Sequence, residues 1–346
     1  MKKPSRLLTF APWLGFICFS FLLGGCVTLS MTDLHTGPSP SARTRPFLIQ
    51  TNDYVILLAQ SGDTLRSLAT RFLGDPSRAW VIADFNNLKR LEPGQEVVIP
   101  LTPHNPVGVY THGYQKVPIL AYHQFGHRQG QLTVTPEMFD AQMAYLKAQD
   151  YRVIRLSHLQ AFLQGRSPLP LRAVAITMDD GYKSVYTIAY PILKKYDFPA
   201  TVFVYSDFIG SQRGLAWQDM RDMVASGLID IQPHSKTHHS LVLREAEEDD
   251  AAYAHRIEQE IRHPAEIIRQ HLRLPIHTFS YPYGDTNDDV IAWVKKHNYD
   301  IAATVQKGGN AFFADPYMLR RTQIYGHERL DEFKKKLEVF RMEKLL

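Results

Sequence analysis

Ala173-Val174-Ala175-Ile176-Thr177-Met178-Asp179-Asp180-Gly181 is the stretch on which the fold turns. Its apolar start is continuous rather than alternating, which suits a strand buried on both faces, as in a parallel sheet. Two adjacent carboxylates end it. Like charges this close resist joint ionisation, and burial resists it further. A metal cation removes the conflict by holding one carboxylate and leaving the other free as a base. The same residues also spell an ordinary strand-ending Asp-Asp-Gly turn, so the rest of the chain has to decide.

Outward from this stretch, similar apolar runs recur. Val117-Pro118-Ile119-Leu120-Ala121-Tyr122 precedes it, and residues 151–154 follow a helical segment containing Phe139, Met143 and Leu146. Residues 200–204, 228–231, 276–280 and 300–303 repeat the pattern downstream. Their alternation with helical segments predicts βα repeats and barrel-like closure. In such folds active sites collect at the C-terminal strand ends, where Asp179 and Asp180 stand.

The run at 228–231 leads into Gln232-Pro233-His234-Ser235-Lys236-Thr237-His238-His239. His234 and His238 are four apart, so one helical turn would place both on one side. That spacing suits two imidazoles on one cation, and it also fits a solvated helix start. Position separates the readings, because this pair and the Asp pair both end expected strands. Asp180, His234 and His238 then make an N/O ligand set with open positions, as a catalytic metal requires. Asp179 is the spare carboxylate. His239 reads as exposed loop.

These motifs resemble those of the NodB-type polysaccharide deacetylases, carbohydrate esterase family 4. Thr177-Met178-Asp179-Asp180-Gly181 and His234 to His238 resemble its first two motifs, and Phe279-Ser280-Tyr281-Pro282-Tyr283-Gly284 its third. The opening 117–123, ending in His123, resembles the poly-N-acetylglucosamine deacetylases within it. The resemblance implies a distorted TIM-like (β/α) barrel over residues 116–346. It implies a divalent metal, zinc as a rule, on Asp180, His234 and His238, and Asp179 as general base. It also implies an oxyanion contact from the Tyr283 backbone N–H. Trp217 and Tyr281 are then either apolar walls for the sugar or core residues. The chain departs from the family pattern twice. Ser280 stands where the third motif often carries an Arg that orients the catalytic Asp. The closing general-acid motif is unclear, leaving His327 and His123 as candidates.

Residues 52–100 read strand, helix, helix, strand. Ser61-Gly62-Asp63-Thr64-Leu65, Asn86, Pro93-Gly94-Gln95 and Ile99-Pro100 resemble a LysM domain, a βααβ family that binds N-acetylglucosamine glycans, chiefly peptidoglycan and chitin. A structural module without a ligand is the alternative. Residues 101–115 form a linker, and 26–51, rich in Ser, Thr, Pro and Gly, a flexible tether. Residues 1–25 run from Lys2, Lys3 and Arg6 through an apolar stretch to Leu23-Gly24-Gly25-Cys26. This order fits a signal peptide better than a membrane span and resembles a bacterial lipoprotein site with lipid on Cys26. Val27 hints at the outer rather than the inner membrane, with the protein facing the periplasm. Removal of the segment takes Cys18, so no disulfide is expected.

The formal charge of +4 shrinks on the same cleavage. The chain has 39 Lys and Arg; without those three, 36 face 35 acids, a net of +1. This gives no electrostatic case for nucleic-acid binding. The expected function is metal-dependent removal of N-acetyl groups from N-acetylglucosamine in an envelope polysaccharide, either peptidoglycan or poly-N-acetylglucosamine. The alternatives are an inactive peptidoglycan-binding lipoprotein and an acetyl-ester deacylase acting on another glycan.

Overall fold

The computed structural model describes residues 47–343 apart from residue 129. The expected signal peptide, the lipidation site Cys26 and the tether up to residue 46 lie outside these residues.

The N-terminal module has the expected βααβ order with one strand added. Phe47–Gln50 pairs antiparallel with Tyr54–Leu58, which pairs with Glu96–Pro100. Residues 47–50, expected at the end of the tether, are thus the outer strand of this sheet. Thr64 caps the helix Leu65–Leu73 through a reciprocal capping box with Ser67. Asn86 ends the second helix, Ala79–Phe85. Its amide donates to Ile82 O and Val98 O and accepts from Val98 N–H, tying helix end to strand. Val55, Leu57, Leu68, Ile82, Val97 and Ile99 fill a small core of their own.

The expected linker is stitched into the larger module. Val109–Tyr110 and Gly113–Gln115 form a hairpin, and the C-terminal strand Phe340–Met342 pairs with its second arm.

All seven expected barrel runs are strands, and they pair in parallel. Ile229–Pro233, Ala200–Val204, Ala173–Met178 and Val117–Tyr122 lie side by side, with Arg152–Ile154 also on the 173–178 strand. Thr322–Gln323 continues the sheet beyond 117–122. Thr278–Ser280 pairs with Ile301–Ala303, which bridges to Leu319. The ladder therefore runs round the ring and breaks at one seam, between 229–233 and 278–280. There the Gln232 side chain takes over. Its carbonyl accepts His277 and Thr278 N–H at 3.0 Å each, and its amide donates to Pro275 O at 3.0 Å.

Alternation along the strands separates two cores. Ala173 and Ala175 face inward with Val117, Ile119, Phe203 and Leu319, while Val174, Ile176 and Met178 face the helices. Thr177 and Asp179 continue the inward set, which delivers Asp179 to the top of the barrel interior.

Candidate metal centre

Asp179 is 1% exposed. An isolated carboxylate there would carry a large desolvation cost, and Arg321 removes it. The guanidinium donates from its two terminal nitrogens to both Asp179 oxygens at 2.7 Å each. Its other donors reach Thr177 Oγ1 at 3.3 Å, Ser280 Oγ at 2.9 Å and Thr304 O at 2.8 Å. All five guanidinium N–H groups thus have acceptors. Burial works against ionisation of Asp179, but the Arg321 guanidinium beside it outweighs burial and holds its carboxyl well below the usual range. Arg321 fills the role left open by Ser280. It arrives from the segment beyond Leu319, two neighbours round the barrel, and the small Ser280 side chain hydrogen-bonds the fork as it passes. Sequence reading missed Arg321.

Strict alternation would send Asp180 to the face opposite Asp179. Its backbone instead takes φ +71°, and Gly181 follows at +76°. A Cβ on Gly181 would lie 2.8 Å from Val204 Cγ1, so both its conformation and its space call for glycine. The left-handed turn ends the strand and leaves the Asp180 carboxylate beside the two histidines. Its Oδ1 lies 3.2 Å from His238 Nε2 and 3.6 Å from His234 Nε2. That oxygen is buried and makes no hydrogen bond of sound geometry.

His234 and His238 do converge, though not on a helical turn. Residues 234–238 form an irregular loop with Ser235 at φ +71° and His238 at +67°, conformations an α-helix excludes. His234 Nδ1 lies 2.7 Å from Ser280 O, so it donates there and leaves Nε2 with its lone pair toward Asp180. Burial pushes the His234 pKa down to about 4, with Asp179 and Asp180 pulling the other way. The imidazole is therefore neutral and able to ligate. Metal-ligating atoms of Asp180, His234 and His238 all lie within 4.8 Å of one another. An orphaned carboxylate oxygen, a tautomer fixed from behind and a soft–hard N/O donor set fit a zinc-like divalent cation. His238 and Asp180 keep 21% and 13% of their side chains exposed, so the trio opens outward.

The remaining candidates divide. Tyr283 sits at φ +60° in the turn Pro282–Gly284, with its ring exposed and edge-on to His238 at 4.8 Å. His123 ends the 117–122 strand, buried, with Nδ1 unpartnered among the described residues. His327 is exposed and stacks on Tyr325. Tyr281 is fully buried, packs on Phe279 and donates its hydroxyl to Tyr317 O. It therefore offers no wall to a sugar. Trp217 stacks on His271 at 4.1 Å and packs against the core. Both aromatics follow the core reading. His239 is exposed.

The polysaccharide deacetylase family model matches residues 166–302, and the LysM domain model matches 59–100. The chain is 26% identical over 237 residues to the poly-beta-1,6-N-acetyl-D-glucosamine N-deacetylase of Escherichia coli K12, covering 58% of this chain and 35% of that one. It thus spans about a third of that relative's length. It is 27% identical over 197 residues to the enzyme of the same name from Staphylococcus epidermidis, covering 56% and 68%. Among solved structures, the Streptococcus pyogenes deacetylase PplD superposes with a TM-score of 0.59 at 24% identity, covering 64% of this chain and 98% of that one. This likeness shows the shared fold. The chain thus matches the LysM domain over residues 59–100 and the polysaccharide deacetylase family over residues 166–302, on a (β/α)-barrel-like fold.

Proposed function

We propose that this protein is a zinc-dependent N-deacetylase that removes acetyl groups from N-acetylglucosamine residues of an envelope polysaccharide. The observation that carries the reading is the Arg321-clamped carboxylate of Asp179, 3.8 Å from His234 Nε2 and beside an outward-facing ligand trio. The names of the two curated relatives support an N-acetylglucosamine polymer as substrate.

Asp180, His234 and His238 would hold the cation, which when bound polarises an acyl oxygen and lowers the pKa of water. Asp179, fixed by Arg321, takes the proton of the attacking water. The Tyr283 backbone N–H donates to the carbonyl oxygen as it gains charge. Water attack forms the new C–O bond; His123 then gives a proton to the amine nitrogen as the C–N bond breaks, leaving acetate and the free amine of the sugar. The buried place of His123 at the end of the 117–122 strand, next to Tyr122 whose carbonyl accepts Asp179 N–H, favours it over the exposed His327. The LysM domain holds the enzyme on peptidoglycan or a related glycan. Lipid on Cys26 tethers it to the outer membrane, facing the periplasm. The inactive-lipoprotein alternative loses its main support, since Arg321 supplies the missing orienting group.

The test is acetate release from peptidoglycan and from poly-N-acetylglucosamine, with and without a chelator. Chelator-sensitive release from one polymer identifies the substrate, and no release from either rejects the proposal. In the same assay His123→Ala should lose most turnover and His327→Ala little; the reverse would reassign the acid.

A further inference from the structure

We propose that Glu260 is a positioning residue for the metal site, holding the His234–His238 loop in its ligating shape. The inference rests on the metal-centre reading above and extends it to a side chain outside the motifs. Glu260 lies inside the long helix Asp250–Leu272 and is 4% exposed. Its carboxylate is spent entirely on the loop. Oε2 accepts Lys236 N–H and Thr237 N–H at 2.9 Å each, and Oε1 accepts the Thr237 hydroxyl at 2.7 Å.

The loop needs such a partner. Two of its five residues, Ser235 and His238, are non-glycine residues at positive φ. Such a conformation is strained and persists only where its surroundings over-determine it. The surroundings act from two sides. On one, Ser206 N–H donates to Ser235 O and Asp207 N–H to Lys236 O, with Lys236 Nζ returning to Asp207 at 2.7 Å. On the other, Glu260 accepts the two consecutive amides between the ligands. Within the loop, Ser235 Oγ accepts His238 N–H at 2.9 Å. Without Glu260 two buried-side amides lose their acceptor, and the loop can relax toward ordinary dihedrals that carry His238 away from Asp180. His234 is held separately by Ser280 O, so the loss should fall on the His238 arm.

The experiment compares the full chain with Glu260→Ala, Glu260→Gln and, as a control, Glu258→Ala, whose side chain faces Lys296 and His297 at the surface. Zinc affinity is measured by chelator competition, alongside thermal unfolding of the metal-stripped proteins. Glu260→Ala is expected to bind zinc roughly 10–100-fold more weakly, the range for groups that orient ligands. Glu260→Gln, which keeps an oxygen for the amides, should stay within several-fold of wild type, and Glu258→Ala should match it. If both Glu260 variants are folded and bind zinc as wild type does, the inference is overturned. It is equally overturned if Glu260→Gln binds normally and Glu260→Ala loses metal only in proportion to lost metal-free stability. Absence of zinc binding in wild type would instead defeat the metal-centre reading itself.

Discussion

Asp179 and Arg321 are a buried ion pair whose value lies in orientation. Removing one partner strands the other charge, at a cost of about 3–5 kcal/mol. Arg321→Met should therefore lower the unfolding free energy by about that much in denaturant titration. It should also alter the pH profile. Burial alone raises a carboxyl pKa, and Arg321 opposes it. Without the guanidinium, the Asp179 pKa rises and the acid limb of kcat/KM moves to higher pH; an unmoved limb would show that Asp179 is not the titrating base. Arg321→Lys keeps the charge and loses the fork, so it should fall between. In the wild type the pair's contribution is present above the unfolded carboxyl value near 3.8 and is lost only as pH falls through the lower folded value. Asp179, Asp180, His234 and His238 were legible because each lies in a short motif at a strand end. Arg321 was not. It stands 142 residues from Asp179, next to an exposed Arg320, and nothing local distinguishes the two arginines.

Among the described residues the strand ladder breaks at one seam, and the ligand His234 stands at its edge. Gln232 supplies by side chain what a neighbouring backbone would supply elsewhere, and two residues later His234 crosses the same seam to Ser280 O. Gln232→Met keeps most of the volume and leaves His277 and Thr278 N–H without acceptors. Each unsatisfied buried group costs about 1–3 kcal/mol. Hydrogen exchange at those two amides should speed up in the variant; unchanged protection would show that the seam closes without Gln232. Apolar runs revealed the strands because burial on both faces leaves a compositional trace. They did not reveal the seam, since one amide side chain replacing a ladder has no periodicity. The His loop misled for a related reason. Four-residue spacing fits a helical turn, and the positive φ at Ser235 and His238 is set by partners distant in sequence.

At the scale of the whole molecule, the LysM module and the barrel have separate cores among the described residues. Asp84 of the LysM helix accepts Leu171 N–H from the barrel at 2.9 Å, at an exposed position that water can satisfy. A chain lacking residues 47–100 should therefore still turn over short soluble oligosaccharides while sedimenting less with insoluble peptidoglycan; equal sedimentation would remove the glycan-binding role from the LysM domain. Module order was legible in sequence because each carries its own motifs, whereas the pairing of 113–115 with 340–342 joins segments that no local pattern connects. Proton transfer by Asp179, beside a metal held by Asp180, His234 and His238, is the step on which the proposed activity depends. Its most direct test is acetate release by zinc-loaded Asp179→Asn, with bound zinc quantified in the same sample. Zinc should be retained and acetate release lost; release at the wild-type rate with zinc bound would mean that Asp179 takes no part in the proton transfer.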